Sequence, residues 1–226
     1  KTARDFDPEV MRLFDQYVHG MIDRRGFLKG AARFAVGASA AAGLLTALSP
    51  KFAEAQQVKP DDARLATRYV EFPSPEGYGT GRGYLAQPAK VEGSLPVVMV
   101  VHENRGLNPH IEDVTRRLAL EGYIAFAPDA LFPLGGYPGD EDKARELFAT
   151  LDQAKTRQDF LAAANMLKSI DGNSGRMGVV GFCYGGGMAN FLATQLPNLD
   201  AAVPFYGRAA ELEDVPKIKA EMLIVM

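Results

Sequence analysis

Short apolar runs alternate with segments of helical periodicity over most of the chain after residue 90. Continuous apolar runs of this length are typical of strands that are buried on both faces of a sheet. The runs that predict such strands are residues 95–103, 123–129, 176–182, 201–207 and 220–226. Before them, residues 67–88 alternate polar and apolar positions about a Pro/Gly turn, which predicts an antiparallel hairpin. Strands that alternate with helices predict an α/β fold, with a mostly parallel sheet and helices on both faces.

Two predicted helices lie between these strands. Asn108 is a predicted N-cap with Pro109 as the first helical residue, and Gly122 ends the helix. Its apolar face is predicted to hold Ile111, Val114 and Leu118, and a second, longer helix is indicated by the spacing of Phe160, Ala164 and Leu167. Residues 129–142 contain too much glycine and proline for a regular element, and we expect a loop that covers a site.

The first 55 residues have a different pattern. Arg24 and Arg25 precede an apolar run of small residues, 34–48, and Ala53 and Ala55 form a small-x-small motif. This order resembles a twin-arginine export signal, and the apolar run is shorter than the roughly 20 residues of a membrane-spanning helix. The resemblance implies a signal peptide over residues 1–55 that is cleaved after about Ala55, export through the twin-arginine machinery, and a periplasmic domain over residues 56–226. The alternative is an amphipathic N-terminal helix that stays attached.

The last apolar run, residues 220–226, predicts that the chain stops inside a buried strand. Soluble proteins usually protect such an edge. We therefore expect a truncated sequence, with a last strand and helix beyond Met226.

Composition narrows the classes of function. A chain of 226 residues suits one α/β domain, and a net charge of -3 argues against a nucleic-acid partner. One cysteine excludes an intramolecular disulfide, and the three histidines have no metal-ligand spacing. We expect neither a metal nor a cofactor, and the sequence leaves the oligomeric state open.

The single cysteine lies between a predicted strand and a predicted helix. Residues 181–185, GFCYG, fit the nucleophile-elbow motif G-x-S-x-G with Cys183 in place of serine. Flanking glycines let strand and helix approach a strained turn, and the positive end of the helix dipole is expected to favour the reactive thiolate. Two alternatives are a small buried Cys183 without chemistry and a dinucleotide loop, whose second glycine would have to be Cys183.

A second motif, HENRGL, begins at His102 at the end of the first parallel strand. In an elbow fold, the oxyanion hole is formed by backbone N–H groups of this loop and of the residue after the nucleophile, here Asn104 and Tyr184. HENRGL, AFAPDALF and GFCYGGGMA, in that order, resemble the dienelactone hydrolase family of α/β-hydrolases from about Leu65 to the end. The resemblance implies that Glu103 lies against the thiol and can receive its proton. An ion pair between Glu103 and Arg105 is the alternative, and for His102 we expect a packing role.

The chain departs from this family in two respects. No histidine follows His110, so we expect the acid and histidine of a catalytic triad beyond Met226, with Asp200 and Asp214 as solvated loop acids. In the family, an arginine after the "PD" strand end binds the substrate carboxylate, and here Arg105 or Arg208 could replace it only by position. An apolar pocket wall is predicted instead, containing Leu131, Phe132, Leu134 and Tyr137.

The sequence thus predicts a hydrolase that cleaves a small carboxylic ester or lactone through an acyl-cysteine intermediate, with poor turnover because two triad members are missing. The alternatives are an inactive remnant and a non-catalytic exported protein that binds a small ligand.

Overall fold

The structure is a computed structural model that describes residues 6–18, 20–34, 38–48 and 56–226. The chain divides into two compact units, Lys1–Ala55 and Gln56–Met226. Within the described ranges, no helix combines the length and the apolar character needed to cross a membrane.

The first unit is helical. Its helices are α1 Pro8–Val18, α2 Arg24–Ala31 and α3 Ala38–Leu48, with a 3-10 turn at Ala32–Phe34. Apolar side chains from all three helices form a small core that includes Leu13, Phe27 and Leu45. Asp23 caps α2 by accepting the Gly26 N–H at 2.6 Å, and the exposed Arg24 and Arg25 begin the helix. The predicted cleavage motif at Ala53–Ala55 lies outside the described residues.

The second unit contains a seven-stranded sheet in the order β1-β2-β4-β3-β5-β6-β7. The strands are β1 Leu65–Ser74, β2 Gly79–Pro88, β3 Leu95–Val101, β4 Ile124–Pro128, β5 Asn173–Phe182, β6 Ala201–Phe205 and β7 Glu221–Met222. Strands β1 and β2 form the predicted hairpin, β2 pairs antiparallel with β4, and all other pairs are parallel. The mostly parallel α/β sheet is therefore confirmed.

Helices cover both faces of this sheet. They are α4 Pro109–Leu120, α5 Glu141–Ala149, α6 Gln153–Lys168 and α7 Tyr184–Gln195. Alternate residues of β3 point to opposite faces, as the pleat requires. Val97, Met99 and Val101 join a core with α5, α6 and α7, whereas Val98 and Val100 pack with α4 residues.

Helix α4 begins at Pro109 as predicted, and the Asn108 side chain accepts the Ile111 N–H at 3.1 Å. Its predicted buried face is only partly right, since Val114 and Leu118 are half-buried while Asp113 and Arg116 are buried. The reason lies in the segment just before β1. Asp113 accepts the backbone N–H groups of Gln57 and Val58, and Arg116 Nε donates to the Val58 carbonyl at 2.9 Å.

Two further expectations are only partly right. Residues 129–142 are not a continuous loop, because they contain a 3-10 turn at Phe132–Leu134 and the start of α5, where Asp140 accepts the Lys143 N–H at 2.9 Å. The final run does pair with β6, through the two-residue strand β7 and through Val225, but it is not buried, since Leu223 and Ile224 are 62% and 64% exposed.

Candidate active site

The tightest turn at the carboxyl end of the sheet holds the thiol. Strand β5 ends at Phe182, α7 begins at Tyr184, and Cys183 between them has φ 54° and ψ -111°, a conformation that L residues rarely adopt. A Cβ at Gly181 would overlap the Gly185 carbonyl oxygen. A Cβ at Gly185 would lie 2.7 Å from the Val101 carbonyl carbon and 2.8 Å from the His102 oxygen. The glycines therefore allow α7 to pack closely on β3 and β5 while Cys183 forms the turn between β5 and α7.

Burial is the largest influence on the pKa of the thiol. It raises the pKa of Cys183, and the negative charge of Glu103 acts in the same direction. The Tyr184 backbone N–H, which bonds to the sulfur, and the charge of Arg105 lower that pKa without reversing the effect. Desolvation penalises the charged form of the thiol, so this pKa shift opposes the thiolate that the helix N-terminus is expected to favour.

Glu103 follows β3 and is half-buried beside this thiol. Its carboxylate accepts a hydrogen bond from the Tyr206 hydroxyl at 3.3 Å. Tyr206 follows β6, the strand next to β5, so the carboxyl ends of three neighbouring strands bring a thiol, a carboxylate and a phenol together. Tyr206 was not predicted as a site residue, although its position near the end of the apolar run 201–207 could have indicated it.

His102 has the packing role expected for it. The ring is fully buried, and Nε2 accepts the Ala130 N–H at 3.2 Å while Nδ1–H donates to the Glu103 carbonyl oxygen at 2.5 Å. Burial lowers the pKa of His102 to about 4. A neutral ring with both nitrogens engaged is not a base for Cys183, and instead it ties the end of β3 to the end of β4.

Arg105, within the HENRGL motif, is the centre of a polar cluster. Its Nε lies 3.0 Å from Glu141 Oε2, and its Nη1 donates to the Asn104 side-chain oxygen at 3.0 Å. Tyr137 donates to the other oxygen of Glu141 at 2.6 Å. Arg105 thus forms an ion pair with Glu141, and Tyr137 is a polar partner of that pair rather than part of an apolar wall.

Phe132 does not line the groove beside the thiol either. Its ring packs against the Arg82 guanidinium at 4.7 Å, near the end of β4. The groove beside Cys183 has a volume of about 380 Å³ and is lined instead by α7 residues, among them Met188 and Phe191, and by charged side chains that include Arg157, Arg208 and Asp214. The predicted apolar wall is wrong because the segment after β4 turns toward β2, whereas α6, α7 and residues 208–214 surround the thiol.

A larger groove of about 960 Å³ lies on the α4 side of the sheet. None of the predicted site residues lines it, so we place the chemistry in the smaller groove that contains Cys183.

The structure places the two other acids considered from the sequence in different parts of the fold. Asp200 lies at the amino end of β6, accepting the Met177 N–H at 2.7 Å, whereas Asp214 lines the Cys183 groove. Among the described residues, no cluster of three or more His, Cys, Asp or Glu side chains is placed to hold a metal ion.

Comparison with known families gives two matches. Residues 82–226 match the model described as "Dienelactone hydrolase family", and residues 1–36 match one described as "YqhI-like".

Individual proteins agree with the longer match. "Putative hydrolase fragment YghX" of Escherichia coli (strain K12) is 55% identical over 109 residues, which are 48% of this chain and 93% of that protein. "Putative carboxymethylenebutenolidase" of the same organism is 37% identical over 153 residues, 66% of this chain and 55% of the relative. The chain therefore spans about half the length of this carboxymethylenebutenolidase relative. The crystal structure titled "Putative Dienelactone Hydrolase" from Klebsiella pneumoniae aligns with a TM-score of 0.56 at 26% identity, over 71% of this chain and 86% of that one.

Proposed function

Because the chain belongs to the dienelactone hydrolase family, we propose that it attacks a small carboxylic ester or lactone with Cys183 and forms an acyl-cysteine intermediate. The observation that carries this proposal is the strained thiol at the strand end, open to a groove and close to a carboxylate. Strained backbone is retained where the surrounding structure enforces it, and it concentrates at functional sites.

The proposed chemistry begins with a protonated thiol. As the sulfur bonds to the carbonyl carbon, the thiol proton moves to the Glu103 carboxylate and the carbonyl electron pair moves onto oxygen. The backbone N–H groups of Asn104 and Tyr184 stabilise this oxyanion. The position of the Tyr184 N–H supports this role, because Tyr184 directly follows Cys183 as the first residue of α7. When the intermediate collapses, the C–O bond breaks, the leaving alkoxide takes the proton from Glu103, and the acyl group stays on sulfur.

Water must then attack the thioester. In hydrolases with a triad, a histidine oriented by an acid assists this step. No histidine follows His110 in these 226 residues, and His102 is buried and neutral. We therefore expect acylation of this chain to be much faster than deacylation.

The test is acylation by p-nitrophenyl acetate. We expect a burst of p-nitrophenolate of about one equivalent, followed by slow turnover, and a mass increase of one acetyl group on the peptide that contains Cys183. Cys183→Ala should lose both signals. An acetyl group that persists in this variant, or native protein that binds small esters without acylation, would contradict the proposal, and the second result would favour a non-catalytic ligand-binding protein.

We also propose export by the twin-arginine route to the periplasm, with cleavage after about Ala55. Arg24 and Arg25 support it, because both are exposed at the start of α2 and accessible to a receptor. Changing both arginines to lysine should keep the protein in the cytoplasm, whereas Arg33→Lys, a matched change in the same unit, should leave export intact. Equal distribution of the two variants between cell fractions would refute the proposal.

A further inference from the structure

Two residues share an unusual backbone conformation. Among the described residues, Cys183 with φ 54° and Tyr206 with φ 39° are the only non-glycine residues with positive φ. They follow β5 and β6, which are parallel neighbours paired up to Phe182 and Phe205. The second strained residue therefore lies next to the nucleophile, at the end of the adjacent strand.

Backbone contacts hold Tyr206 in this conformation from both sides. The Cys183 N–H donates to the carbonyl of Phe205 at 3.0 Å, and the Tyr206 N–H donates to the carbonyl of Val225 at 2.8 Å. On the other side, a Cβ at Gly207 would overlap the backbone of Gly186 in the first turn of α7. Tyr206 is thus fixed relative to the turn that carries the thiol.

The side chain of Tyr206 points back toward Glu103. Its hydroxyl donates to Glu103 Oε1, and its ring is about half exposed. Partial burial raises the pKa of Tyr206, and the charges of Glu103 and of a Cys183 thiolate act in the same direction. The phenol therefore remains a proton donor over the pH range in which cysteine and carboxylate side chains titrate.

We propose that Tyr206 is a positioning residue, which holds the Glu103 carboxylate toward the Cys183 thiol and disperses part of its charge. The inference rests on the proposed function, since it assigns Tyr206 to the step in which the sulfur loses its proton and Glu103 gains it. The Tyr206 hydrogen keeps its bond to oxygen throughout. Other ionisable groups near the thiol are Arg105 in the loop after β3, Arg157 on α6, and Arg208, Glu211 and Asp214 in the groove.

The test uses alkylation of Cys183 by iodoacetamide as a function of pH, a reaction that needs no ester hydrolysis. In Tyr206→Phe the carboxylate charge is no longer dispersed, so the profile should move to higher pH. Alkylation at pH 7 should slow by about two- to tenfold, as expected for the loss of one hydrogen bond of ordinary net strength. Burst acylation by p-nitrophenyl acetate should slow while its dependence on ester concentration changes little.

The matched control is Tyr69→Phe. Tyr69 is also 52% exposed and also donates its hydroxyl to a carboxylate, that of Glu112, on the β1 side of the sheet. We expect no shift in this variant. In a Glu103→Gln background, Tyr206→Phe should also cause no shift, because the charge on which it acts is gone.

Two results would overturn the inference: a Tyr206→Phe profile equal to that of Tyr69→Phe, or a shift that persists in the Glu103→Gln background. Failure of the proposed function has a different signature, since alkylation would still show the shift while p-nitrophenyl acetate gave no burst.

Discussion

Replacing Gly185 by alanine tests whether the approach of α7 to β3 builds the site. The added Cβ would overlap the Val101 carbonyl oxygen and lie 2.7 Å from its carbon, whereas unstrained carbon contacts are about 3.5–4.0 Å. The helix would have to retreat by about 1 Å. Strand β3 cannot yield in its place, because it pairs with β4 on one side and β5 on the other. Overpacking typically costs about 1–3 kcal/mol, and we expect at least 3 kcal/mol where only backbone can move.

Gly187 provides the control in the same helix. Its added Cβ would lie 3.5 Å from the Arg208 side chain, an ordinary contact. Gly187→Ala should be neutral or stabilise by up to about 1 kcal/mol, because alanine is the better helix former. Urea unfolding followed by circular dichroism measures the free energy of unfolding of both variants. The rate of Cys183 alkylation shows whether the turn that holds the thiol has changed. Equal stability of the two variants would refute the reasoning that the close approach of α7 to β3 requires glycine at position 185.

Two further predictions concern buried charges. Burial raises the pKa of Asp129 from 3.8 to about 6. Its contribution to the free energy of unfolding is therefore fully present below pH 4 and is lost as the pH rises through 6. Asp129→Asn should therefore stabilise the protein at pH 8 by up to about 3 kcal/mol and have little effect at pH 4, and urea unfolding that shows the same difference at both values would contradict this. Arg116 is fully buried, with hydrogen bonds to the Val58 carbonyl and the Tyr84 hydroxyl. Arg116→Ala should lower the free energy of unfolding by about 3–5 kcal/mol in the same assay. Replacement of its exposed neighbour, Arg117→Ala, should lower it by about 0.5 kcal/mol or less. Similar losses in the two variants would show that burial does not decide the effect.

The elements predicted correctly are those that depend on residues close together in the sequence. The hairpin, the start of α4 and the strand-turn-helix around Cys183 follow from alternation, an N-cap and glycine spacing. The buried face of α4 did not follow, because Asp113 and Arg116 are buried by residues 57–58, more than 50 positions earlier in the chain. Helix α5 was missed because its cap, Asp140, stands in a run of glycine, proline and acidic residues that is typical of a loop.

The candidate site shows the same difference between features set by nearby residues and features set by tertiary contacts. Cys183 and Glu103 were predicted from motifs at the ends of apolar runs, and the structure places both near the carboxyl ends of the neighbouring strands β5 and β3. The burial that raises the pKa of the thiol was not predicted, because a sequence shows the helix N-terminus but not how much water is excluded around the sulfur. Phe132 and Tyr137 were assigned to the wrong wall, because the direction in which the loop leaves β4 depends on tertiary contacts such as that between Phe132 and Arg82.

The two strained residues differ in what supports them, and this has a consequence for the site. Cys183 is held at the centre of the sheet, where Gly185 packs on β3 and the Phe205 carbonyl accepts its N–H. Tyr206 pairs with Val225 on the side of β6 away from β5, and the adjacent Gly207 packs on the first turn of α7. Loss of the Val225 contact would therefore remove part of the support of Tyr206, and of its bond to Glu103, while Cys183 stayed in place. The proposed bond between Tyr206 and Glu103 is thus more easily disturbed than the turn that holds the thiol.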